Sequence, residues 1–215
     1  MVFWLFLIML LFFFPVLLLP AALFFFIFLV LIPLKFTFNS MHSLIHAPGE
    51  LYRIAKNPIL KKNHGLEHAT INVLEEHYGY RQLAGYADEN GFYIIGAQDL
   101  TEVELAAREG QDRLRSGENE LTIHERCGTT LTAANLLSAI IFIGILFWSG
   151  YFSIWSMLLA MLIANFIGPT IGDVLQSKVT TSADVDDVYI VGADFSQSKQ
   201  PFQPGSRIYV KTREA

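Results

Sequence analysis

The sequence predicts an α+β fold, with a small cytoplasm-facing domain of helices and antiparallel strands seated on about three transmembrane helices. Three observations predict it. Charged residues are absent from positions 1–34 and again from 131–172, and an apolar run of about 18 or more residues without charge reads as a membrane span. The polar stretch between these runs carries a helix start, a hairpin signal and a second helix start in that order. After the second apolar run, VDDVYIVGA and SRIYVKT alternate well enough to form two more strands.

The N-terminal run, residues 1–34, lacks the basic start of a signal peptide and is too long for its apolar core. At about 1.5 Å per residue it exceeds a hydrocarbon core of roughly 30 Å. One crossing kinked at Pro15 and Pro20 is expected; a re-entrant hairpin broken there is the alternative. The second apolar block, residues 131–169, is long enough for a helical hairpin that turns at Ser149-Gly150 and ends at Gly168-Pro169. A hairpin returns the chain to the side it left, so residues 35–130 and 170–215 should form one polar domain. Residues 35–62 carry Lys35, Arg53, Lys56, Lys61 and Lys62 against Glu50 alone. The positive-inside rule then places this domain in the cytoplasm, on a plasma or thylakoid membrane.

Within 35–130, Asn57-Pro58 reads as an N-cap followed by a first-turn proline. The helix should run to about Tyr78 and stop at Gly79. At roughly 100° per residue, Ile59, Leu66, Ala69 and Val73 share one side. His64, Glu67, His68, Ile71 and Glu75 share the other. Asn90-Gly91 lies between two β-prone runs and predicts antiparallel strands at 80–89 and 92–97. Thr101 to Glu104 reads as a capping box that opens a helix to about Arg115.

The net charge of −5 argues against nucleic acid as a partner, since phosphate binding needs a basic patch. No phosphate-binding glycine loop is present, so nucleotide binding has no support. The lipid bilayer is the expected partner, with other membrane proteins beside it. With Cys127 as the sole cysteine, no intrachain disulfide can form, which is compatible with a reducing compartment.

The chemistry sits in His64-Gly65-Leu66-Glu67-His68. Histidines at i and i+4 give a helix two metal ligands on one face, and a carboxylate beside them can take a proton from metal-bound water. This is the H-x-x-E-H pattern of inverted zinc peptidases, with Glu67 as general base. The plain alternative is a solvated helix face. A third ligand is needed, and Glu102, Glu104 and Glu109 have no distinguishing spacing. His124 and Cys127, an H-x-x-C pair in IHERCGT, are both good zinc-ligand types. Four closed ligands would make a structural zinc site and three with water a catalytic one; Cys127 could equally be a small buried hydrophobe.

The segments HGLEHATINVL and IHERCGTTL resemble those of an uncharacterised membrane-protein family common in cyanobacteria, the domain of unknown function 6391. Its members read approximately HALEHATIHVL and IHPNCGTNL. The resemblance covers roughly residues 60–195, with GFYIIG and GPTIGDVLQSKVTTSADVDDVYIVG inside it, and leaves the apolar N-terminus outside. It implies a membrane protein and no assigned activity. Asn72 stands where the family pattern has histidine, and Thr130 where it has asparagine.

The expected function is therefore a membrane-anchored metalloprotein, in its most specific form a zinc-dependent hydrolase. His64 and His68 would be ligands, Cys127 or His124 the third, and Glu67 the base. The rival is a non-catalytic assembly or stabilising subunit of a membrane complex, such as a photosynthetic one, whose Phe-rich anchor packs against other spans. Tetrapyrrole binding through His42 or His46 is a third expectation.

Overall fold

The computed structural model describes residues 4–5, 8–9, 12, 16, 18–124, 126–150, 153–196 and 207–215. The chain divides into two compact units, one of residues 1–44 and 135–166, the other of residues 45–134 and 167–215.

Six α-helices and four strands lie among the described residues. The first helices are α1 (Leu18–Phe26) and α2 (Ile32–Lys56), joined by a π-helical stretch at Ile27–Leu31. Pro15 falls outside the described residues. Pro20 lies within α1 as it is described from Leu18. The apolar helix does not stop at residue 34 but continues through the basic segment to Lys56. The helical pair α5 (Gly128–Ser149) and α6 (Ile154–Leu175) turns at Gly150, whose φ of +69° suits glycine. Ser153 caps α6 by accepting the Ser156 N–H at 3.2 Å. Phe142 on α5 packs with Met157 and Ala160 on α6. The expected stop at Gly168-Pro169 is not one: α6 runs on to Leu175 and is bent there instead, because proline kinks a helix whose flanks are otherwise held. By length and composition two helices could cross a membrane, Leu18–Lys56 and the start of α5, and a third if bent α6 counts as one span.

In the second unit, α3 (Pro58–His77) begins as read: Asn57 accepts the Leu60 N–H at 3.1 Å, with Pro58 in the first turn. It ends before Gly79, whose φ is +71°. Helix α4 (Leu100–Arg115) is capped by Asp99, which accepts from Thr101 and Glu102, and not by Thr101. The Asx side chain two residues earlier supplies the oxygen that the capping-box reading assigned to threonine. Strands β1 (Ala84–Asp88) and β2 (Gly91–Ile95) are shorter than expected, and the tight loop is Glu89-Asn90, one residue before the Asn-Gly pair. With β3 (Val188–Phe195) and β4 (Arg207–Glu214) they form an antiparallel sheet in the order β1-β2-β4-β3.

One face of the sheet buries Phe92, Ile94, Ile208 and Val210 against Leu66, Ala69, Val73 and Val103. Helices α3 and α4 cross closely at Gly110, where a Cβ would lie 3.0 Å from the Ala69 carbonyl carbon. Helix α3 is buried on both sides, not on one, because the segments after α4 and α6 cover the side that faces away from the apolar core.

Candidate metal centre

The covered side of α3 carries His64, Glu67 and His68, which are 7%, 4% and 1% exposed; Cys127 is 7% exposed. These values exclude a solvated helix face. Burying such groups without partners would cost several kcal/mol, on the order of 2–7 each, so their contacts decide what the site is.

Each imidazole is held from behind. His68 Nδ1–H donates to the Thr122 carbonyl at 2.6 Å, and His64 Nδ1–H donates to the Thr180 carbonyl at 2.9 Å. A carbonyl can only accept, so both Nδ1 atoms carry hydrogen and the Nε2 atoms face the cluster. His64 Nε2 lies 3.4 Å from Cys127 Sγ, and the two rings are 4.4 Å apart. His68 Nε2 is buried with no hydrogen-bond partner. The ligand atoms of His64, His68 and Cys127 all lie within 4.8 Å of one another. Tetrahedral zinc with bonds of about 2.0–2.3 Å separates its ligand atoms by roughly 3.3–3.6 Å. The donor types suit such an ion, and the 3.4 Å between His64 Nε2 and Cys127 Sγ matches its spacing.

The carbonyls are themselves fixed. Asn72 donates to Leu121 and Ile123 carbonyls at 3.0 Å each, which pins the 3-10 turn Asn119–Thr122 on α3. Gln176, in the π-helical stretch Gln176–Thr180, accepts the His124 N–H at 2.9 Å and donates to Thr130 Oγ1. That side chain anchors both ends of the loop that carries Cys127. The two departures from the family pattern, Asn72 and Thr130, are thus scaffold positions around the cluster.

The electrostatics follow from burial and pairing. Burial opposes a thiolate at Cys127, but the bond from His64, with His68 close by, outweighs it and brings the thiol down to about 4. Thr129 Oγ1 also lies 2.8 Å from the sulfur. Burial likewise opposes charge on His64, but the Cys127 bond and the Glu67 charge raise it to about 9. Burial raises Glu67 to about 8, against the pull of His64. Metal-free, the cluster favours an imidazolium–thiolate pair, and burial favours the protonated form of the Glu67 carboxyl group beside it.

Glu67 fits where it does because Gly85 on β1 has no side chain: a Cβ there would sit 2.1 Å from Glu67 Oε1. Its Oε2 is buried and unpartnered. A cavity of about 420 Å³ opens beside these groups, with apolar walls from Ile54, Ile71 and Leu83 and with Arg53 and Arg126 along its lining.

His124 is not drawn into the three-ligand set. Its ring is 6.1 Å from that of His68, and its Nε2 faces Glu75 Oε2 at 3.6 Å. Burial, then the nearby His68, lowers its pKa and favours the neutral ring. The α4 carboxylates are committed elsewhere: Glu102 accepts from Tyr80, Glu104 from Arg108, and Glu109 faces His77. His42 and His46 are exposed on α2. Thr122, Thr180 and Gly85 escape sequence reasoning, because they act through a backbone carbonyl or a missing side chain.

An uncharacterised protein of Picosynechococcus sp. is 39% identical over 89 residues. The match covers 37% of this chain and 43% of that protein, so the chain spans less than half the length of this relative. No solved structure matches. A family profile matches residues 59–193, the segment that holds every member of the cluster and both of its carbonyl supports. The chain belongs to the family described as domain of unknown function 6391.

Proposed function

We propose that this chain is a membrane-anchored, zinc-dependent hydrolase in which His64, His68 and Cys127 hold the metal and Glu67 is the general base. One observation carries the reading: two backbone carbonyls lock both imidazoles with Nε2 turned toward a thiolate-forming cysteine. Such second-shell bonds are how proteins orient metal-ligating histidines. Three protein ligands leave a fourth position for water, the arrangement of catalytic zinc sites. The position of His124, turned to Glu75, supports the open three-ligand form over a closed one.

Bound zinc would lower the pKa of its water to about 7 and polarise a substrate carbonyl. Glu67, neutral in the metal-free cluster, would lose its proton beside the cation and accept one from the water. The cavity admits substrate at that carboxyl, and its apolar walls limit competing water.

The apolar helices would anchor the chain in a bilayer, and the basic residues between Lys35 and Lys62 favour a cytoplasmic polar unit. An assembly role in a membrane complex is the second reading. It is favoured by the exposed Phe24 and Phe28 rings, stacked at 6.2 Å on α1 and the π-helical stretch, a surface for lipid or a neighbouring span. Zinc content, with turnover compared between the unaltered chain and Glu67→Gln, separates the two.

A further inference from the structure

β1 is an outer strand of the sheet, and one bond reveals which of its backbone groups are free. Thr212 N–H donates to the Asn90 carbonyl at 2.9 Å, one step beyond the Gly91–Lys211 pair. In an antiparallel ladder, hydrogen-bonded and non-bonded pairs alternate. Asn90, Phe92 and Ile94 therefore turn their backbone groups to β4. Gly91, Tyr93 and Ile95 turn theirs to β1, opposite Asp88, Tyr86 and Ala84. This leaves the N–H and C=O of Gly85 and Ala87 directed away from the sheet. Among the described residues none bonds to them.

Gly85 and Ala87 line the cavity that also holds His64, Glu67, His68 and Cys127. Gly85 is the residue against which the Glu67 carboxyl lies. A free strand edge and the candidate base border one space.

We propose that the substrate is an extended polypeptide segment that adds to β1 as a further strand through Gly85 and Ala87. This presents an amide carbonyl to the His64–His68–Cys127 centre, and it rests on the hydrolase reading above. Strand addition draws affinity from main-chain bonds, which every peptide can make, and specificity from alternate side chains. An acyl lipid could use the apolar walls but has no ladder of N–H and C=O to match the edge. In the reaction the water oxygen bonds to the amide carbon and the C–N bond breaks. Glu67 takes one water proton and delivers it to the leaving nitrogen. The products are an amine and a carboxylic acid that keeps the second hydrogen until it ionises.

The test uses the zinc-loaded full chain in detergent, with acetohydroxamate, an extended tetrapeptide hydroxamate and octanohydroxamate as probes. Ala87→Pro removes an outward N–H and no bond to β2. The peptide probe should bind at least about tenfold more weakly to this variant, the effect of one lost hydrogen bond plus steric exclusion. Acetohydroxamate binding and zinc content should not change. The same loss is expected on the unaltered chain when the edge-facing N–H of the peptide is methylated, so the result does not depend on the variant folding. Undiminished peptide binding in these comparisons overturns the proposal and leaves the hydrolase reading standing. Octanohydroxamate binding more tightly than the peptide, and equally to Ala87→Pro, overturns it in favour of an acyl substrate. Failure of acetohydroxamate to bind the zinc-loaded chain overturns the hydrolase reading and this proposal with it.

Discussion

His64 and Cys127 are 63 positions apart in the chain, yet Nε2 of one lies 3.4 Å from Sγ of the other in a buried contact. The contact joins the middle of α3 to the residue before α5, and it is held by bonds that neither residue makes to the other: Thr180 behind His64, and Gln176 across the loop that carries Cys127. Such a pair, without a cation, keeps a proton that a metal would have to displace.

That competition sets a pH dependence. His64 is raised to about 9, so at pH 7 its Nε2 is protonated and must lose that proton to become a ligand. Cys127, at about 4, is already a thiolate. Loss of the His64 proton should therefore raise zinc affinity about tenfold per pH unit from pH 6 to 8 and level off above about 9, with the Glu67 proton steepening the slope below about 8. Competition with a chelator of known affinity at several pH values measures the slope. Glu67→Gln removes the other proton that binding could release and also the charge that helps to raise His64, so the slope should fall toward tenfold per unit and the plateau begin at lower pH.

Glu67→Gln keeps the size of the side chain and removes its basicity. Zinc content should stay the same while turnover of a responsive substrate falls by about 10²–10⁴-fold, the usual share of general-base catalysis. An unchanged rate would assign Glu67 a packing role.

Gly85→Ala tests the seat of that carboxyl group. The added Cβ would lie 2.1 Å from Glu67 Oε1, so either β1 or Glu67 must move. A loss of about 1–3 kcal/mol in unfolding free energy is expected, as for other overpacked sites. Zinc should be retained and turnover lost, because the ligands themselves do not touch Gly85. Denaturant unfolding and metal analysis of the same preparation check both halves.

Much of this was legible before any coordinates. Asn57-Pro58 and Gly79 bracket α3, and the four-residue spacing of His64 and His68 places both rings on one side of it. The H-x-x-C pair was only half informative. The turn closed by Cys127 N–H on the His124 carbonyl sends the thiol to His64 and leaves the imidazole beside Glu75. A periodicity argument could not tell whether the histidine side of α3 was wet, because what covers it comes from residues 119–130 and 176–182, far away in sequence. Thr122 and Thr180 serve through carbonyls that any residue would carry, and Gly85 through the side chain it lacks, so no residue type announced them. The helix cap was misplaced for a related reason: Asp99 and Thr101 both suit an N-cap, and only the backbone turn decides between them.

The measurement that bears most directly on the central claim is zinc content by plasma mass spectrometry on the detergent-purified chain, with His68→Ala and Cys127→Ala beside it. His68 is the discriminating position, since its buried Nε2 has no partner among the described residues. About one zinc per unaltered chain, lost in both variants while they remain folded, is the result this account predicts. An unaltered chain that holds no metal after zinc loading and desalting, under conditions where a known zinc protein keeps its own, would contradict it.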